Sequence, residues 1–399
     1  MSPQKTIEVV QRVEQSATAV RQPLAHASHV PYLLYSDPDV LELEKERLFM
    51  KDWLMVGRVE QIANPGDYMT LDIFNEPIVI ARNQAGEINA FSNFCLHRGA
   101  EISPKGFGHA KEFSCPYHNW LYDLDGKLVG APHMRDTAGF DVKKCQLPRV
   151  RCDTWGGFIY ITLDPKAPPL MDFIRVYADE FAFLKLEDCA VAARVEFDLK
   201  CNWKFVVENL FDVYHVTTIH ATSFGKYRDT VDYFTDKPGQ EKLFGYYKAA
   251  PTMEGGKSLF GPMPWLADKP ETFACSGFQV PNLQMFARID GMVFHSIWPV
   301  TVDRTHMISY IVIPKVFFDQ PDFQEKVGRY ADYLKKIIDE DEAAILSLQR
   351  AANSRLFKPG RMAKLEHGVY NVLNHYLDRI VPREAETEMK VARETAVAK

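Results

Sequence analysis

The alternation of apolar and polar positions divides the chain into three stretches. Over Ser36–Trp53 the apolar residues Val40, Leu41, Leu43, Leu48, Phe49 and Met50 fall among charges at helical spacing, and Ser36 stands where a cap would. Residues 1–30 are polar and weakly patterned, which predicts an arm. From Trp53 to Thr162 short β-rich runs follow, such as Tyr68–Ile73, Pro77–Ala81 and Gly157–Leu163. Turn signals separate them: Asn64-Pro65-Gly66-Asp67, Asn83 to Gly86 and Asp123 to Gly126. This predicts a small antiparallel β domain, closed by the proline-rich join Pro165–Pro169.

Beyond the join the pattern mixes. It predicts a helix over Leu170–Phe183, a strand over Ala190–Leu199 and a helix over Trp203–His220. A strand-rich middle runs to Pro314, and helices over Pro321–Ala352 and Leu365–Ile380 come after it. The expected organisation is an arm and helix over 1–52 that pack with the C-terminal domain, a β domain over 53–164, a second domain over 165–382 and a solvated tail over 383–399.

Composition narrows the classes. Hydrophobic residues make up 46% and charged residues 25% of the 399, ordinary values for a soluble globular protein. The net charge is −6, without the basic balance of a nucleic-acid binder or of a protein drawn to anionic membranes. No apolar run approaches the ~20 residues that span a bilayer. The mixed, charged start, Met1–Gln22, is unlike a signal peptide, so the expected location is cytoplasmic. Seven dispersed cysteines, an odd number, are expected to be free thiols or metal ligands.

Two constellations carry chemistry. The first is Cys95-Leu96-His97 and, after 17 residues, Cys115-Pro116-Tyr117-His118. Two Cys–His pairs on two loops of a β domain can each clamp one end of a cluster, the pattern of a Rieske [2Fe–2S] centre. Two neutral imidazoles in place of two thiolates favour the reduced state and raise the potential. A zinc site of two cysteines and two histidines normally has the order Cys-Cys-His-His, which this sequence does not follow. Gly99, Gly106 and Gly108 suit tight loops, and Trp120 is placed to shield the cluster.

The second constellation lies in 202–220. Asn209, Asp212 and His215 succeed one another at three-residue steps and share one helix face. His220, five residues after His215, lies roughly 140° off that face on an ideal helix, so a distortion or helix end is needed for both to meet one ion. Two histidines and one carboxylate form the facial triad of non-haem Fe(II) oxygenases. The carboxylate must come from elsewhere. Asp341, within Asp339-Glu340-Asp341-Glu342, is the candidate, although an acidic run at a helix start is often only a solvated face.

Together the motifs resemble those of the α subunit of Rieske non-haem iron ring-hydroxylating oxygenases, from about Tyr35 to Ile380. The family's string matches Asn202-Trp203-Lys204, Glu208-Asn209, Asp212, His215 and His220, and its late acidic stretch matches Glu340-Asp341 and Gln349. Asn119 departs from it, where many relatives carry Gly. The resemblance implies cluster ligands Cys95, His97, Cys115 and His118, iron ligands His215, His220 and Asp341, and catalytic roles for Asp212 and Asn209. Asp212 is then the electron bridge, bonded to His215 and to His118 of a neighbouring subunit. The implied fold is α+β: an antiparallel-β Rieske domain followed by a helix-grip catalytic domain. The implied assembly is a homotrimer, with or without a β subunit.

No nucleotide or flavin motif stands out, so NAD(P)H must be oxidised by a partner flavin reductase, with or without a ferredoxin. O2 is the co-substrate. The expected reaction is mono- or dihydroxylation of an aromatic substrate; the alternative is oxidative N- or O-demethylation, or hydroxylation, of a non-aromatic small molecule. A pure electron carrier would leave the C-terminal domain idle, and a zinc hydrolase would be indifferent to O2. The expected pocket lies between the histidine helix and the central strands, with Phe211, Phe224, Phe278, Met285, Phe294 and Trp298 as candidate linings. Arg288, in strand-like sequence, is expected in a surface salt bridge more readily than against a substrate carboxylate.

Overall fold

A computed structural model describes residues 1–227 and 256–381, with the two short strands Tyr233–Phe234 and Lys242–Tyr246 between them. The expected tail over 383–399 lies outside these residues. The chain forms two compact units, Met50–Phe173 and Met1–Phe49 with Ile174 onward.

The Met50–Phe173 unit is built from short strands: β1 (Leu54–Arg58), β2 (Asp67–Ile73), β3 (Glu76–Arg82), β4 (Ile88–Ser92), β5 (Phe107–His109), β6 (Phe113–Ser114), β7 (Leu121–Tyr122), β8 (Leu128–Gly130), β9 (Arg149–Trp155) and β10 (Phe158–Thr162). One antiparallel sheet has the order β1-β10-β9-β4-β3-β2-β5, and a small one the order β6-β7-β8. Phe74 and Asn75 join β2 to β3 as a two-residue hairpin with both φ angles positive, 54° and 72°. The core of this unit gathers Tyr68, Phe91, Phe113, Trp120 and Tyr122, and Cys95 and Cys115 belong to it. Two thiols are thereby drawn inside while the histidines of the same loops turn outward.

The other unit begins with α1 (Pro3–Ala17), α2 (Leu33–Ser36) and α3 (Pro38–Glu44), the last running into one wider turn over Lys45–Phe49. The expected arm is therefore a helix. Val9, Val13 and Ala17, each four residues apart, bury a stripe too narrow to stand out among polar neighbours. Ser36 does not cap α3; its hydroxyl turns back to the Tyr32 carbonyl, and Asp37 accepts from the Asp39 amide instead.

Helix α4 (Leu170–Glu180) ends three residues before its expected limit. Then come β11 (Cys189–Leu199), α5 (Trp203–Phe211), α6 (Val216–Ile219), β12 (Tyr233–Phe234), β13 (Lys242–Tyr246), β14 (Phe273–Gln279), β15 (Leu283–Arg288), β16 (Met292–Thr301), β17 (Arg304–Pro314), α7 (Phe323–Ala352) and α8 (His367–Ile380). The antiparallel sheet has the order β11-β17-β16-β15-β14-β13-β12, with α5 and α7 packed against it. The architecture is α+β. No helix among the described residues is long and apolar enough to cross a membrane.

The single helix expected over Trp203–His220 is broken between α5 and α6. Several buried polar groups hold α5 in place. Asn202 caps it by accepting from the Lys204 amide at 3.0 Å, and Gln349 of α7 accepts from the Asn202 amide at 2.7 Å. Glu44 is fully buried and receives Lys204 Nζ at 2.5 Å, Trp203 Nε1 at 2.7 Å and the Tyr376 hydroxyl at 2.5 Å. A buried charge is tolerable only with such partners, and these tie α3, α5 and α8 together.

Glu208, on the same helix, is half-buried. Burial pushes its pKa up to about 7 against the lowering effect of the Tyr35 hydroxyl, which donates to it at 2.7 Å. The folded state then holds a proton that the unfolded chain releases near its ordinary 4.5. Stability should fall as pH rises from about 4.5 to about 7 and level off above. Glu208→Gln should flatten that part of the profile of unfolding midpoint against pH, and an unchanged slope would contradict the assignment.

Candidate metal centres

In the β unit, Cys95 and Cys115 head two loops with one backbone design. The Cys95 amide donates to Ala100 O and the Gly99 amide to Cys95 O, at 2.8 and 2.9 Å. The Cys115 amide donates to Trp120 O and the Asn119 amide to Cys115 O, at the same distances. Each loop needs a left-handed residue four places after its cysteine: Gly99 has φ 77° and Asn119 φ 56°. This accounts for Asn119. Asparagine is among the few side-chain-bearing residues that adopt this region readily.

The loops present sulfurs inward and imidazoles outward. Cys95 and Cys115 are buried, and His97 and His118 are exposed with their Nδ1 atoms 3.1 Å apart. Trp120 stacks on His97 at 4.9 Å between ring centroids. Tyr122 meets Cys95 Sγ at 3.2 Å and accepts the Leu96 amide. Desolvation, then the neighbouring His97 and Arg98, lowers the pKa of His118 and so favours the neutral ring.

In the other unit, α5 stops at Phe211 and Asp212 takes an extended conformation. The Asp212 carboxylate accepts from the Tyr214 amide at 2.7 Å and the His215 amide at 3.2 Å, and meets His215 Nδ1 at 3.0 Å. One side chain thus makes the break in the helix and aims the histidine three residues on. The break removes the misalignment of an unbroken helix: His215 Nε2 and His220 Nε2 lie 3.3 Å apart.

Asp341 completes the group. Its Oδ1 lies 3.2 Å from His220 Nε2 and 3.5 Å from His215 Nε2, and accepts from Asn209 Nδ2 at 3.2 Å. The acidic run 339–342 is at mid-helix in α7, not at a helix start. Asp341 belongs to the buried stripe Leu334, Ile337, Ile338, Asp341, Ile345, Gln349 and is 3% exposed. One ligand atom each from His215, His220 and Asp341 lie within 4.8 Å of one another.

Sequence reasoning gave Glu340 only as part of a motif, and its work is distinct. It meets His220 Nδ1 at 2.7 Å and accepts the Ser223 hydroxyl at 2.6 Å. Each histidine thus offers Nδ1 to a carboxylate and Nε2 to the centre, which fixes the tautomer that a metal needs. Burial disfavours a proton on His220, yet Asp341 and Glu340 together raise its pKa. The adjacent acids in 339–342 were the available signal, since neighbours on a helix can reach the two nitrogens of one ring.

The cavity at this group is lined from α5, α6, β14, β15, β16 and α7. Of the six expected linings only Phe224 is on its wall, stacked on His220 at 4.5 Å. Met285 and Phe294 alternate with the residues that do line it, Gln284, Phe286, Val293 and His295. Phe278 lines a different hollow beside Trp203, Phe211 is buried elsewhere, and the Trp298 indole is bonded to Ser296. Arg288 is not at the surface and makes no ion pair among the described residues; it is buried on the cavity wall.

Comparison with known proteins agrees with this geometry. The model for the ring hydroxylating alpha subunit catalytic domain matches residues 186–381, and that for the Rieske [2Fe–2S] domain matches 52–146. This chain belongs to the Rieske ring-hydroxylating oxygenase α-subunit family. It is 26% identical over 392 residues to the glycine betaine monooxygenase oxygenase subunit of Pseudomonas aeruginosa, covering 89% of this chain and 90% of that one. It is 36% identical over 194 residues to the carnitine monooxygenase oxygenase subunit of Escherichia coli, covering 48% and 52%. A solved quaternary ammonium Rieske monooxygenase, described in terms of carnitine oxidation and inter-subunit electron transfer, aligns with TM-score 0.77 at 25% identity over 89% of this chain and 96% of that one.

The family's cofactors are a Rieske [2Fe–2S] cluster and a mononuclear iron, with O2 as co-substrate and NAD(P)H acting through a partner reductase. The residues fit both centres: two buried sulfurs with two outward imidazoles, and two imidazoles of fixed tautomer facing one buried carboxylate.

Asp341→Ala should lower bound iron from about three to about two atoms per chain while the cluster absorbance persists. Glu340→Gln, which keeps the shape but removes the charge, should weaken mononuclear iron about 10- to 100-fold. Metal counting after dialysis against a graded chelator reads both.

Proposed function

We propose that this chain is the oxygenase component that oxidises a small, non-aromatic quaternary ammonium compound, with electrons from NAD(P)H delivered by a partner reductase. The observation that carries this reading is full-length similarity to a glycine betaine monooxygenase subunit, joined by local similarity to a carnitine monooxygenase subunit. These relatives favour the non-aromatic alternative over the aromatic substrate expected first. The cavity agrees: Gln284 Oε1 and Arg288 Nε on its wall are buried with no partner among the described residues, and an aromatic hydrocarbon would supply none.

The proposed assignment gives Cys95, His97, Cys115 and His118, within 53–164, to the cluster, and His215, His220 and Asp341, within 165–382, to the iron. When bound, the cluster supplies single electrons and the iron activates O2. The chain's own residues set the conditions. Asp212 and Glu340 hold the two rings with Nε2 inward. Asn209 donates to Asp341 and keeps that carboxylate oriented. Leu334, Ile337, Ile338 and Val293 keep part of the wall dry. Asp212 is the bridge by which electrons from a neighbouring subunit's cluster reach His215, in a trimer.

With an N-methyl substrate, one oxygen atom of O2 enters a C–H bond of the methyl group, and the other leaves as water with two electrons and two protons. The resulting N–CH2OH group then releases formaldehyde and the demethylated amine. Turnover with reductase and NADH should therefore yield formaldehyde from glycine betaine or carnitine and no diol from naphthalene. Diol formation without formaldehyde would restore the aromatic reading.

Asp212→Ala should leave both metals bound and the cluster reducible, yet stop product formation. Single-turnover product of wild-type size would remove the bridging role.

A further inference from the structure

One wall of the cavity carries chemistry that the metal centre does not use. Gln284, Phe286 and Arg288 alternate along β15 and so share one of its faces. Ser276 on β14 pairs with Phe286, and His295 on β16 pairs with Gln284. All five line the same cavity as His215, His220 and Asp341.

Arg288 stands out in this set. It is 6% exposed, and its Nη1 donates to the Tyr330 hydroxyl at 2.8 Å. Its Nε is buried with no acceptor. The Phe286 ring lies 4.7 Å from the guanidinium carbon and covers it, which leaves the in-plane N–H groups for polar contact. Among the described residues no carboxylate pairs with it. The buried Asp290, whose charge it feels, accepts the Leu259 amide at 2.7 Å instead.

A guanidinium stays charged at any pH the protein meets. Buried without a counter-anion it is unfavourable, and proteins normally supply one. Among the described residues none pairs with it: Ser276 and Gln284 are neutral, and the carboxylate of Asp290 is engaged by the Leu259 amide. Burial, then the charge of Arg288, lowers the pKa of His295 to about 3, so this ring is neutral too. The described residues thus leave this cation open to an anion that comes with the ligand.

We propose that Arg288 is the recognition point for a carboxylate on the substrate, a specificity-determining contact separate from the metal ligands. The inference rests on the oxygenase reading of this cavity and deepens it. Substrates are zwitterions or anions that set the carboxylate in the plane of the guanidinium and turn the carbon to be oxidised toward His215, His220 and Asp341. Tyr330 is a positioning residue, since its hydroxyl aims one arm of the fork.

The test is equilibrium binding to the metal-loaded protein, kept anaerobic and without reductant, for two matched pairs: L-carnitine with its methyl ester, and benzoate with benzyl alcohol. Wild type should bind at least one carboxylate about tenfold or more tightly than its partner without the carboxylate. Arg288→Gln should bring that ratio within about twofold of one, with no loss of binding for the member that lacks the carboxylate. Arg288→Lys, with the charge but not the planar fork, should keep part of the ratio. Preference for carnitine over its ester supports both the subsite and the quaternary ammonium reading. Preference confined to benzoate keeps the subsite and removes that reading. A wild-type ratio near one for both pairs, or a ratio that survives Arg288→Gln, overturns the subsite. Should Arg288→Gln fail to fold, Tyr330→Phe decides: it should weaken only the carboxylate members, and an unchanged ratio overturns the proposal.

Discussion

Two carboxylate–imidazole contacts set the geometry on which the second centre depends. Asp212 engages Nδ1 of His215 and Glu340 engages Nδ1 of His220. With those nitrogens engaged, both Nε2 lone pairs face one point, and Asp341 supplies the oxygen there. Everything around the site serves that arrangement. The helix must break after Phe211 so that Asp212 can turn back on His215. Helix α7 must present two consecutive acids, one to each nitrogen of a single ring. Gln349 fixes the start of α5 two turns further along α7, so α5 and α7 share a polar clamp as well as an apolar seam.

The first centre is held differently. Its four candidate groups come from two loops that repeat one hydrogen-bond pattern, and the cysteines are part of the apolar core. The sulfurs are held by packing and the imidazoles by stacking and mutual contact, so no long-range carboxylate is required. Asn119 shows how far the loop tolerates change: the backbone demands a left-handed residue, and asparagine meets the demand.

These differences explain what was legible in the sequence. Cys95, His97, Cys115 and His118 were legible because each loop is local and its spacing is chemistry. His215 and His220 were legible for the same reason, and the need for a helix break came out of their spacing. Asp341 needed a resemblance, although an acid inside the apolar stripe of α7 was a readable anomaly. The cavity wall was not read. Strand β15 is covered on both faces, so its hydropathy does not alternate cleanly and large apolar residues drew attention instead. The informative residues were the polar ones on one face, Gln284 and Arg288. The N-terminal helix was missed because its buried stripe is only one residue wide.

The span of sequence between the iron-facing residues has a consequence for synthesis. All four cysteine and histidine groups of the first centre lie before residue 120, in a unit that ends at Phe173. The second centre joins His215 and His220 to a carboxylate at 341. A chain growing from its N-terminus can fold the first unit and receive the cluster long before Asp341 has left the ribosome. The group His215, His220 and Asp341 does not exist on any shorter nascent chain, so it comes together after the first unit has had time to fold.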